Sequence, residues 1–147
     1  LSEGNIKLAS LDPSQQPILN YNFLDHPEDK RRLRETVRIC VELGENEKFS
    51  EVVEELRSPD LEILNDDKLL DDWMMRTVTT GHHIAGTCKM GSSNDGMAVV
   101  DQFAKVHGIQ GLRIVDASIM PDCPRANTNV TTIMIAERIS DFLKNSK

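Results

Sequence analysis

Groups able to do chemistry concentrate in two stretches of this sequence. The first is HHIAGTCKMGSSNDG, residues 82–96, a histidine pair in a polar, glycine-rich run. A neutral imidazole is a suitable proton acceptor at physiological pH, because histidine ordinarily titrates near pH ~6.5. His83 stands three residues before Gly86-Thr87-Cys88, a turn-forming triplet. The second stretch is DASIMPDCPRANTNVTTIMIAE, residues 116–137. Its Asn129 precedes an apolar-periodic run and reads as a helix N-cap. An Asn amide can also donate to a developing alkoxide without itself titrating, and the two roles are compatible. N–H groups from about Val130 to Thr132 would open that helix without intrahelical acceptors, and with the helix dipole they make a partial positive charge. Asp116, at the end of an apolar run, reads first as a cap or turn residue.

A metal centre is the rival chemistry. His82, His83, Cys88, His107 and Cys123 carry suitable ligand atoms for zinc. Their spacing gives no CxxC, no HExxH and no close pair beyond the adjacent histidines, so no metal site is expected.

Ordinary scaffold must hold these residues. Residues 6–9 and 18–22 read as two extended segments, separated by Asp12-Pro13 and Pro17. Asp25 is the expected cap of a helix that opens with Pro27, Glu28 and Asp29 and runs to Leu43-Gly44, with Leu33, Val37, Cys40 and Val41 at helical spacing. Further helices are expected over residues 50–56 and 66–77, the latter burying Leu69, Leu70, Trp73 and Met74. Gly81, Gly86, Gly91 and Gly96 mark loop in which backbone passes close to something. Residues 112–115 read as a buried strand ending in Asp116. Pro121 and Pro124 forbid regular helix before a final one that begins near Asn129, with Ile133, Ala136, Ile139 and Leu143 along one face.

The formal net charge of −7 argues against a nucleic-acid partner. Lys30, Arg31, Arg32 and Arg34 alternate with Glu28, Asp29 and Glu35, the pattern of a solvated helix face. The three cysteines are too few for a disulfide framework, and the odd thiol leans towards a reducing, cytoplasmic compartment. No apolar run approaches the roughly 20 residues of a transmembrane segment.

Taken together, HxxGTC around His83, the VDAS run at 115–118 and NTNVTT at 127–132 resemble the C-terminal region of the glucose–methanol–choline (GMC) oxidoreductases, most closely the choline-dehydrogenase-like branch. The likeness runs almost end to end and is specific over residues 82–139. It implies an α+β fold: part of an antiparallel substrate-domain sheet with helices, plus the last strand and helix of an FAD/NAD(P)-binding-type domain. Residues 1–100 would belong to the substrate-binding part and 101–147 to the FAD-binding part. It also implies FAD-dependent oxidation of a small-molecule alcohol. His83 would accept the hydroxyl proton while hydride passes to flavin N5, and Asn129 would bind the substrate oxygen. His82 would line the flavin or be structural, and Asp116 with the small Ala117 would lie against the cofactor's ribityl and pyrophosphate part. Val130 and Thr131, at the helix start, would face the flavin edge. Where relatives commonly have Pro, Thr131 supplies an N–H.

The sequence contains no GxGxxG turn for the ADP half of FAD. The chain is therefore expected to be a fragment, an excised domain or one chain of a split or nicked enzyme, whose partner is the missing N-terminal FAD-binding part and which is inactive when alone. Two alternatives stand beside it: a GMC-type hydroxynitrile lyase, and an isolated non-catalytic module.

Overall fold

Asp12 closes the first turn of the chain. Its carboxylate accepts from the Ser14 N–H at 2.9 Å, and its carbonyl from the Gln15 N–H at 3.1 Å. The flanking runs then pair as antiparallel strands, β1 (Asn5–Lys7) and β2 (Ile18–Asn20), with Ile6 opposite Leu19. Gly4 lies where the ribbon comes closest to itself. A Cβ there would sit 2.4 Å from the Asn20 carbonyl oxygen, and main chain cannot yield that space. In this computed structural model, which describes residues 1–49 and 51–145, the chain divides into two compact units, Leu1–Thr79 and Thr80–Lys147.

Among the described residues three helices complete the first unit: α1 (Pro27–Gly44), α2 (Leu61–Asn65) and α3 (Asp67–Thr77). The cap of α1 is His26 and not the expected Asp25. His26 Nδ1 accepts from the Glu28 N–H at 3.2 Å, in the geometry that leaves Pro27 at the first helical position. α3 begins as expected, with the Asp66 carboxylate accepting from the N–H groups of Lys68 and Leu69 at 2.8 and 2.9 Å. Leu24, Leu70 and Met74 form the core, and Phe23, Leu33, Val37, Ile63 and Trp73 pack around it. Leu69, expected inside, is exposed, since the buried positions of this short helix are Leu70 and Met74. Arg34 and Arg38 of α1 reach Asp67 of α3 at 3.0 and 2.7 Å. The helix expected over 50–56 does not form: residues 51–52 are turn and 53–56 irregular, while Ser50 lies outside the described residues. α2 was not anticipated. Five residues are too short for periodicity to announce a helix.

Short bridges hold the second unit. Met90 pairs in parallel with Val100, Val100 antiparallel with Val106, and Lys105 antiparallel with Arg113. The strand expected over 112–115 shrinks to the last of these, flanked by Val106 N–H to Leu112 O and Ile114 N–H to Ala104 O, both 3.1 Å. Ala104 at φ +60°, with Gly108 and Gly111 at +75°, breaks the extended conformation that a longer ladder requires. A 3-10 turn, Ala117–Ile119, follows, and the long helix α4 (Thr128–Asn145) is the last element among the described residues.

Val100, Ala104, Ile119 and Ile139 are the buried centre of this unit, with Ile114, Ile135 and Phe142 packed against it. α4 thus buries Thr128 and Ile139 and half-buries Ile135 and Phe142, a 4-3 spaced face. Of the face expected, Ile139 is buried and Ala136 half-buried, whereas Ile133 and Leu143 are 54% and 52% exposed. The bridges bind 89–100 to 105–114, and the compact unit they hold begins at Thr80.

Two measurements check this packing. Ile119→Ala, which empties a fully buried site, should cost about 2–5 kcal/mol in a denaturant titration. Asp95 accepts from Lys89 at 2.9 Å and from the Met97 N–H, also at 2.9 Å. The Lys89 bond first, and the Met97 N–H second, hold its carboxyl below the ordinary 3.8. A depressed carboxyl stabilises the folded state above its unfolded pKa and loses that contribution as pH falls through the folded value. The Tm advantage of the natural protein over Asp95→Asn should therefore be full at neutral pH and shrink below about pH 3.8.

Candidate active site

The 3-10 turn is the frame on which the candidate site is built. The N–H groups of Gly86, Cys88 and Met90 donate to the carbonyls of Ala117, Ser118 and Ile119 at 3.4, 2.9 and 2.9 Å. Alternate residues of the histidine loop are thereby stitched to consecutive residues of the turn. Gly86 lies at φ +84°, where a side chain would be strained. Asp116 caps the turn, its carboxylate accepting from the Ser118 N–H at 2.8 Å and from the Ser118 hydroxyl at 2.5 Å. This is the cap role its position suggested. Ala117 beside it is half-buried.

His82 adopts φ +61°, a left-handed conformation that costs a non-glycine residue roughly 1–2 kcal/mol. Its N–H donates to Thr80 Oγ1 at 3.0 Å, which closes the bend leading to His83.

His83 meets the start of α4. Its Nδ1 lies 2.9 Å from Thr128 Oγ1, and its Nε2 lies 3.3 Å from Asn127 Nδ2. Asn127 Oδ1 in turn accepts from the Asn129 N–H at 2.9 Å. The hydrogen-bonding directions follow from that last contact. A main-chain N–H can only donate, so the Asn127 amide must point its oxygen at residue 129 and its N–H at the imidazole. Nε2 therefore carries the lone pair and Nδ1 the proton, donated to Thr128 Oγ1.

Asn127 and Thr128 were not singled out in the sequence. NTN offers two amides two residues apart, and nothing in their spacing says which of them caps. One signal was available: the 4-3 spacing of 142, 139, 135 and 132 continues back to Thr128, which puts the helix start before Asn129. Thr128 is 6% exposed, and among the described residues it is the one polar residue in the buried set. Asn129, expected as the cap, is exposed and enters through its main chain. With the helix starting at Thr128, the donors left over are those of its first turn, so the open set moves back from 130–132 and keeps Val130. Val130 is 74% exposed and Thr131 half-buried.

His107 Nε2 is 3.1 Å from the Gly91 carbonyl, a bond that ties the loop to its neighbouring bridge. Among the described residues no three His, Cys, Asp or Glu side chains converge as a metal site would require. A flavin is a different matter. An imidazole lone pair, an amide and the first-turn N–H of Val130 are donors and acceptors suited to a substrate oxygen and the polar edge of its ring. These residues fit the reactive half of FAD, whereas the glycine-rich turn its ADP half needs is absent from the sequence.

Comparison with known proteins gives the family of the chain. Residues 1–136 match the C-terminal family described as GMC oxidoreductase. Oxygen-dependent choline dehydrogenase 1 of Chromohalobacter salexigens is 41% identical over 144 residues, covering 98% of this chain and 26% of that protein. Among solved structures, the R554A variant of Aspergillus oryzae formate oxidase, a study of FAD modification, superposes with a TM-score of 0.88 at 33% identity, over 97% of this chain and 25% of that one. Pyridoxine 4-oxidase from Mesorbium loti gives 0.81 at 27%, over 94% and 26%. The chain thus spans about a quarter of the length of the relatives it matches. Members of this family bind FAD, and no helix among the described residues is long and apolar enough to cross a membrane. With the histidine loop, the capped turn and the α4 start in place, the chain belongs to the GMC oxidoreductase family and constitutes its C-terminal region.

Proposed function

We propose that this chain supplies the proton-accepting side of an FAD-dependent alcohol oxidation, carried out by an enzyme of which it is the C-terminal part. In that enzyme residues 1–100 contribute to the substrate-binding domain and 101–147 return to the FAD-binding domain. The observation that carries the reading is the pairing of an imidazole lone pair, at His83 Nε2, with a side-chain amide 3.3 Å away at Asn127.

His83 Nε2 takes the proton of the substrate hydroxyl, because its lone pair is the unprotonated nitrogen of the ring. The contact with Asn127 is longer than the usual 2.9–3.0 Å of an N–H donor bond, so a hydroxyl can compete for the lone pair. Asn127 Nδ2 then donates to the oxygen as charge develops on it. This is the role the resemblance assigned to Asn129; both asparagines are exposed, and the contact with His83 favours Asn127 for it. When bound, FAD supplies the acceptor for the hydride that leaves the carbinol carbon. Val130 offers a first-turn N–H to the edge of its ring, with Thr131 next to it. His82 lines the same region, and Asp116 and Ala117 keep the capped turn close to the cofactor's ribityl side. The substrate class is a small alcohol with a CH–OH group.

Stopped-flow measurement of flavin bleaching by alcohol in the full-length enzyme, without oxygen, tests these roles. His83→Ala should slow bleaching on the order of 10²-fold or more, and an unchanged rate would remove it as the base. Asn127→Ala should cost about 10²-fold in the same assay, whereas Asn129→Ala should leave the rate close to normal. The reverse ranking of the two asparagines would return the oxygen-binding role to Asn129.

A further inference from the structure

We infer that Thr128 is a positioning residue whose buried hydroxyl accepts the Nδ1 proton and so, together with the Asn127 amide at Nε2, holds His83 in the tautomer that leaves Nε2 unprotonated. The inference rests on the reading of His83 as the base, and it names the group that keeps that base usable.

A neutral histidine exchanges freely between two tautomers in water, and only one of them presents a lone pair at Nε2. Here both ring nitrogens meet α4 residues that discriminate. At Nε2, the Asn127 amide N–H faces the ring at 3.3 Å, and a proton there would set two donors against each other. At Nδ1, Thr128 Oγ1 lies at 2.9 Å and is free to accept. A hydroxyl can also donate, so Thr128 alone would tolerate either form. The Asn127 orientation, fixed by the Asn129 N–H at 2.9 Å, removes that freedom.

Two features suit Thr128 to the task. It is 6% exposed, so water competes poorly for its oxygen. Its carbonyl accepts from the Thr132 hydroxyl at 2.9 Å, and its β-branched side chain on a helix has few rotamers. Oγ1 is therefore held towards the imidazole by backbone placement.

The test uses the full-length enzyme labelled with 15N-histidine, at pH about 8, above the ordinary imidazole range. The ring signals of His83 are identified by their loss in His83→Gln. The expected spectrum has a protonated Nδ1 and an unprotonated Nε2. Thr128→Val, which keeps the shape and removes the hydroxyl, should give a mixture of tautomers and lower kcat about tenfold with little change in KM. Thr128→Ser should restore both the single tautomer and most of kcat. A protonated Nε2 in the natural enzyme would overturn the inference, as would a Val variant with unaltered ring signals and kcat. If the Val variant does not fold, the tautomer in the natural and Ser enzymes still decides. Normal turnover by His83→Gln would defeat the base assignment separately, because the ring signals report the tautomer whatever the chemistry.

Discussion

A single main-chain N–H, that of Asn129, sets the directions of the whole candidate site. It is left without an intrahelical acceptor because α4 starts one residue earlier, and a backbone N–H can only donate. Asn127 satisfies it, and in doing so turns its own amide N–H towards His83. Every later assignment, from the unprotonated Nε2 to the proton on Nδ1, passes through that bond. The same contact that ends a helix neatly also orients a base. Structural capping and chemical preorganisation are here one interaction.

Orientation would count for little if the loop carrying His83 were loose. Its backbone is bonded to the Ala117–Ile119 turn, and Ile119 is buried against Ile139 of α4 through the shared core. Loop and helix start are thus referenced to one short element. The turn is itself stiffened by Asp116, whose carboxylate is spent on Ser118. Each layer is modest, since an intramolecular hydrogen bond typically nets about 0.5–1.5 kcal/mol. The precision comes from the number of constraints that converge on one imidazole.

Where sequence and structure part company, the reasons are local. The strand expected over 112–115 had the right composition, yet its partner segment holds Ala104 in a left-handed conformation and cannot sustain a ladder. The α4 stripe was read correctly at Ile139, but at its ends Ile133 and Leu143 are exposed and burial passes to Thr128, Ile135 and Phe142. Asp25 and His26 are both able to cap, and the one adjacent to Pro27 does so. In each case the residue type was informative and its register was not, since register is set by contacts with residues far along the chain.

The sequence by itself determined the kind of protein this is. A histidine three residues before Gly-Thr-Cys, an acid at the end of an apolar run and an NTN motif before a periodic helix give the family and the imidazole. The extent of α3 and turns such as Asp12-Pro13 are equally legible, because they depend on neighbours within a few residues. Only the tertiary structure decided which asparagine faces His83, which nitrogen of that ring is protonated, and that Thr128 is buried against it. Those facts depend on bringing residue 83 to residues 127 and 128, and a separation of 44 or 45 positions leaves no local trace.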